Sequence, residues 1–389
     1  MKQLLSWCIF ATLFVHISCE SDKPPERPIV FEQNFPIAYD ASIPEGKLPF
    51  PHHNPEISEE AYQQLIEDLF VINNYGQYQG GETDQSCYFH DALDIVIPNG
   101  TPIFALENGT VRSITGLAPY YKTMAIEDED EENMGWSYTH IYDFAVLPGE
   151  FVEKGQFIGT VRFQGLEHIH LSRIRLKEEG DWKDITDHVK VYPDSYFILR
   201  DELPPIIKTP FSYFNNNENV VIDNSELIDS ISKKVDIVVQ MRDEGQYAGA
   251  LIGASYWGDR LAVRNIEYDI IKEGVVISSH KSYDFRNIEI AASNEQWRQA
   301  LTMYKHRNVL DQDPENYNVF HSSYIITNCP EDHHGTIDQS FSDLAWNTTL
   351  LDNSGNRKCP DGTYEIRLSA TDTNGNTTTV SDFVYVKND

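Results

Sequence analysis

The chain has 389 residues, enough for two domains and a leader. A hydrophobic content of 40%, with 21 Tyr and 19 Phe, can build packed cores and excludes wholesale disorder. The formal charge of −31, from 30 Lys+Arg against 61 Asp+Glu, argues against a nucleic-acid partner, whose phosphates would be repelled by such a surface.

Residues Met1 to Cys19 combine one Lys, an apolar run from Leu4 to Val15 and a small Ser18 ahead of Cys19. This pattern predicts a secretory signal peptide, too short and too closely followed by polar sequence to be a membrane span. A cysteine directly after a small residue resembles the bacterial lipobox. That resemblance implies lipid on Cys19 and an exported, membrane-anchored lipoprotein of the cell envelope, facing the periplasm or the surface. The charged, Pro-rich segment Ser21 to Pro28 then reads as a tether, and Phe31 to Asn54 as an extended arm.

Ser58 to Ile72 is the strongest helical candidate, with Ser58 as N-cap and Tyr62, Leu65 and Leu69 on one face. Asn73 to Gln85 reads as loop. From His90 onward, short alternating runs separated by turn residues predict antiparallel sheet. Strands are expected at Asp94–Ile97, Pro102–Leu106, Met124–Ile126, Tyr138–Phe144 and within Phe151–Val161, then at His168–Leu176. The acidic run Glu127 to Glu132 reads as a solvated hairpin loop.

Of five cysteines, Cys8 and Cys19 fall in the leader. Cys329 and Cys359 are candidates for a disulfide closing a loop of about thirty residues. Cys87 reads as a small buried residue near a strand end rather than as a metal ligand.

The candidate chemistry lies in His90, Asp94, His140, His168 and His170, all at the edges of predicted strands. Imidazole and carboxylate suit zinc, and a hydrolytic zinc site uses three protein ligands with a fourth position open. His168 and His170, two apart on a strand, point the same way. On an extended strand His90 and Asp94 would stand roughly 13 Å apart, at about 3.3 Å per residue. Both reach one metal only if the chain bends between them. The adjacent pairs His52–His53 and His333–His334 lack matching context and read as loop residues.

The order HxxxD, the run NGTPIFALENGTV, Tyr138-Thr139-His140, FVEKGQFIGTV and then HxH resembles the lysostaphin-type zinc endopeptidases, peptidoglycan-cleaving enzymes with a compact antiparallel β fold. The resemblance covers about residues 85–176. It implies Zn2+ held by His90, Asp94 and His170, with His140 and His168 as catalytic histidines that orient or deprotonate the attacking water and stabilise the oxyanion. Ala92 replaces the glycine usual two residues after the first histidine. Gly165, Leu166 and Glu167 replace the usual Thr-Gly-Pro, and Leu171 and Ser172 the aromatic-acid pair, at positions that line the family's substrate groove.

The second half reads as β-strands at Val235–Met241, Leu261–Ile271 and Gly274–Ser279, a helix within Asn294–Asn308, and a terminal hairpin from Asp361 to Val386 around Asn374-Gly375. The hairpin resembles the last two strands of an immunoglobulin-like sandwich. The expected architecture is mainly β: leader 1–19, tether and arm 20–57, an antiparallel β metallopeptidase-like domain 58–200, and an immunoglobulin-like β-sandwich with an insertion over 201–389. The expected function is an exported zinc metalloendopeptidase acting on peptidoglycan or its cross-linking peptides. The competing class is a non-catalytic cell-wall or protein-binding lipoprotein that keeps the fold.

Overall fold

A computed structural model describes Leu48 and residues 71–388, apart from 80–83, 118–120, 165–166, 198, 200, 223–229, 245–250, 253–254, 257–260, 292–295, 307–308 and 311–320. The leader, the tether, nearly all of the arm, His52 and His53, Gly165 and Leu166, and the helical candidate up to residue 70 lie outside the described residues.

The chain is mainly β, as its alternating pattern predicts. A ten-stranded sheet runs in spatial order through Phe151–Val152, Gly109–Leu117, Tyr121–Asp128, Met134–Thr139, His168–Leu176, His188–Val191 and Ile288–Ala291 to Gly335–Thr336. Strand His168–Leu176, found with the bounds its alternation predicts, organises this sheet. One edge pairs with Met134–Thr139; the other pairs first with Leu93–Val96 and then with His188–Val191. Val71–Asn73 completes the sheet against Leu93–Val96, so the end of the predicted helix is strand: Val71 sits opposite Ile95. Cross-strand pairing there overrides the helical period.

The core of this half gathers Leu93, Ile95, Met124, Trp136, Ile169 and Leu171. Leu171 and Ser172 are both fully buried, so neither lines a groove in this protein. The acidic run also differs from expectation. Glu127 and Asp128 end the strand Tyr121–Asp128 and pair with Arg112 and Arg173, while Glu131 lies 2.8 Å from Arg173. Arg173 is itself buried, and a buried guanidinium is retained only where carboxylates surround it. Residues 129–132, Glu131 included, form the exposed turn.

In the second half, Val275–Asp284, Asn265–Lys272, Gly362–Thr371 and Thr377–Val386 form a four-stranded antiparallel sheet, and Lys234–Arg242 is the hub of a six-stranded one. Their apolar faces share a core containing Ile237, Val239, Tyr268, Tyr283, Tyr364 and Leu368, to which the first half contributes Tyr75 and Phe89. The predicted helix is present as Gln296–Met303. Cys329 and Cys359 are free thiols rather than a disulfide. Cys359 is buried in the apolar core and Cys329 packs, partly buried, against it; burial pushes the Cys329 thiol up to about 12. Among the described residues no helix is long and apolar enough to cross a membrane.

Candidate metal centre

Strand register builds the site. Asn73 pairs with Asp94, Asp94 with His170, and His170 with Thr139, so four neighbouring strands place these residues in one row across the sheet. His140 follows Thr139 directly, and His168 is two positions from His170 on the same strand, hence on the same face. The five residues predicted from sequence therefore converge.

The distance problem between His90 and Asp94 is resolved by a bend at Ala92. Ala92 is fully buried and turns this corner without entering the left-handed backbone region, so a glycine is not required there. His90 Nε2 comes to 3.0 Å from Asp94 Oδ2. On the other carboxylate oxygen, His170 Nδ1 lies 2.8 Å from Asp94 Oδ1. One ligand atom from each of His90, Asp94 and His170 lies within 4.8 Å of the other two. Cys87 is buried but has no place in this group.

The loop before the ligand strand fixes the first histidine. His90 Nδ1 is 3.1 Å from the carbonyl of Asn74 and donates to it, which in the neutral ring leaves Nε2 as the lone-pair nitrogen. That Nε2 is buried and has no hydrogen-bond partner. It faces a carboxylate, and two lone-pair atoms 3.0 Å apart call for a cation between them or beside them. The orphaned nitrogen, the carboxylate and His170 form a donor set that fits zinc.

Surrounding groups orient these side chains. Asn73 Nδ2 donates to Asp94 Oδ2 at 2.7 Å, and Gln77 Nε2 donates to Asn73 Oδ1 at 3.1 Å. The loop itself is anchored by Gly76, whose φ is +83° and whose absent Cβ leaves space for the ring of Phe285. Gly76 N and O bond the His90 carbonyl and the Tyr304 hydroxyl. Residues of the second half thus support the segment that holds His90.

Asp91 is a member of the site that the sequence reading did not single out. Its Oδ1 lies 3.2 Å from His170 Nε2, so the two ring nitrogens of His170 face two carboxylates. Burial lowers the basicity of His170, but Asp94 and Asp91 more than offset it and raise its pKa to about 9. Burial raises Asp94, yet His90 and His170 hold it well below the ordinary carboxylate range. Asp91 is likewise raised by burial and lowered further by the buried ammonium of Lys190 and by His170. A carboxylate directly after HxxxD's first histidine was visible in the sequence. Its partner Lys190, a hundred residues away, was not.

His140 and His168 complete the pocket. Their rings lie 4.7 Å apart, and His168 Nε2 is 3.7 Å from Asp94 Oδ2. His140 has a left-handed backbone with φ of 66°, a conformation uncommon for a non-glycine residue and concentrated at functional positions. Phe163 packs against both rings, at 4.1 and 4.8 Å, and Tyr121 covers His140. His333, by contrast, is satisfied by the carbonyls of Gly335 and Thr336, as a loop residue should be.

Residues 88–181 match the family model described as Peptidase family M23. No curated protein matches the chain. Among solved structures, the catalytic domain of the antimicrobial peptidase lysostaphin from Staphylococcus simulans is 22% identical, with 29% of this chain and 84% of that one covered and a TM-score of 0.25. LytU is 25% identical over 27% of this chain and 72% of its own, with a TM-score of 0.24. The catalytic domain of the prophage-encoded M23 protein EnpA from Enterococcus faecalis is 22% identical over 33% and 92%, with a TM-score of 0.26. The stretch 88–181, which contains all five convergent residues, is a lysostaphin-type domain of peptidase family M23.

Proposed function

We propose that the protein is an exported zinc-dependent endopeptidase, tethered to the membrane through lipid on Cys19, that hydrolyses peptide bonds of peptidoglycan. The observation that carries this reading is the buried, partnerless Nε2 of His90 facing Asp94 beside His170. His90, Asp94 and His170 hold the metal, and Asp91 keeps the proton of His170 on the nitrogen turned away from Asp94. Zinc, when bound, supplies Lewis acidity to the scissile carbonyl and the attacking water.

His140 and His168 do the proton work. Both are largely buried, and their rings stand together beside Asp94. One takes a proton from the attacking water; the pair then delivers it to the leaving amine and donates to the oxyanion. Phe163 and Tyr121 form an aromatic wall that limits the water around these rings. Residues 201–389, read as an immunoglobulin-like sandwich, position this domain and brace the loop carrying His90.

Digestion of purified sacculi tests the reading. Zinc-loaded protein is expected to release soluble peptide-bearing fragments, and His140→Ala or His168→Ala to lose this while keeping the metal. Binding to sacculi without release would replace the enzyme with the non-catalytic, wall-binding class.

A further inference from the structure

A second group of potential ligands lies away from the peptidase row. Asp201 follows the last strand of the first half, Asp243 ends at the bridge to Leu261, and Asp372 opens the turn of the terminal hairpin. One carboxylate oxygen from each lies within 4.8 Å of the other two. Asp243 is only 3% exposed and Asp372 0%.

Like charges this close and this buried repel strongly, so the group needs protons or a cation. Among the described residues no Lys or Arg pairs with any of the three. Arg242 is taken by Glu244, and Arg264 donates to the Thr373 carbonyl. Asp372 is oriented by Asn376, whose backbone N–H and side-chain amide donate to its two oxygens at 2.9 and 2.8 Å. Asp201 Oδ1 accepts from Leu203 N at 3.0 Å. Asp243 Oδ1 is different: it is buried and has no hydrogen-bond partner. A nine-tenths buried carboxylate oxygen without a donor marks a place where something else must meet the charge. Burial and the charges of Asp201 and Asp372 push Asp243 well above the usual carboxylate range, and burial first, then Asp372, raises Asp201 to about 6.

The donor set is oxygen only, without thiolate or imidazole, which suits a hard divalent cation rather than zinc. Ca2+ accepts six to eight oxygens in flexible geometry, so three carboxylates plus water satisfy it. The surroundings give it a role. Asn374 donates to the carbonyls of Leu199 and Asp201, and Asn376 to that of Asp201 at 2.9 Å. The hairpin turn already grips the segment that joins the two halves, and Asp201 belongs to that segment. We propose that Asp201, Asp243 and Asp372 form a structural Ca2+ site that fastens the segment around Asp201 to the C-terminal half. This inference is independent of zinc at the peptidase row.

Calorimetric Ca2+ titration and thermal melting of the full chain test it, with wild type, Asp243→Asn and Asp94→Ala compared. One Ca2+ per chain is expected in wild type, with a midpoint rise of about 3 °C or more at saturation. Asp94→Ala, whatever its own Ca2+-free midpoint, should keep the Ca2+ affinity and the Ca2+-induced rise of wild type, because the peptidase row is not the Ca2+ site. Asp243→Asn should bind at least tenfold more weakly, and its Ca2+-free midpoint should equal or exceed that of wild type because one repelling charge is gone. Absence of any Ca2+ response in wild type, or an equal response in Asp243→Asn, overturns the proposal. A response lost in Asp94→Ala also overturns it, by moving the ion to the other centre.

Discussion

His170 and Asp91 face each other at 3.2 Å, from Nε2 to Oδ1, on the side of the imidazole turned away from Asp94. A histidine that ligates through one nitrogen is held in the right tautomer when the other donates to a carboxylate. In the proposed zinc site Asp91, backed by the buried Lys190, is the carboxylate placed for that role. Asp91→Asn keeps the size and removes the charge. Zinc affinity, measured by competition with a chromogenic chelator, is expected to fall about 10- to 100-fold. An unchanged affinity would remove Asp91 from the metal centre.

The loop carrying the His90 contact depends on a glycine braced by the second half. At Gly76 an added Cβ would stand 2.3 Å from Phe285 Cε1, and φ is +83°. Gly76→Ala is therefore expected to destabilise the chain by about 1–3 kcal/mol and to weaken zinc binding as well, because Asn74 and Gly76 both hold His90. Urea unfolding gives the first quantity and chelator competition the second. Destabilisation without loss of affinity would show that the loop does not position His90.

Much of this centre is legible in sequence. HxxxD, Tyr138-Thr139-His140 and HxH name the five residues that meet, and the alternation of His168 to Leu176 gives a strand with the observed bounds. What surrounds them is not legible, because it is set by pairings between distant segments. Asn73 enters the site only because Val71–Asn73 pairs beside Asp94. The Asn74 contribution is a backbone carbonyl, which no side-chain pattern reveals. Ala92 stands where the family usually has glycine, yet the corner needs no left-handed residue. Glu127 and Asp128 looked like solvent-facing charge because the sequence does not show that Arg112 and the buried Arg173 come opposite them.

Asp194 gives the protein a pH signature separate from metal binding. It is fully buried, and burial pushes its pKa up to about 8, above the ordinary 3.8. The folded state therefore keeps a proton that the unfolded chain gives up. Its contribution is present below about pH 4 and is lost as pH rises through 8. Asp194→Asn removes this dependence. The stability of the variant relative to wild type, from urea midpoints, should grow between pH 5 and 8 at up to about 1.4 kcal/mol per pH unit. A difference constant across that range would mean that Asp194 is ionised in the folded protein.

The central claim is that His90, Asp94 and His170 hold one zinc ion, and metal analysis of the purified protein by plasma mass spectrometry tests it most directly. Wild type should carry one zinc per chain, and Asp94→Ala and His170→Ala should carry none while remaining folded by circular dichroism. No stoichiometric zinc in wild type, or zinc retained in His170→Ala, would contradict the account.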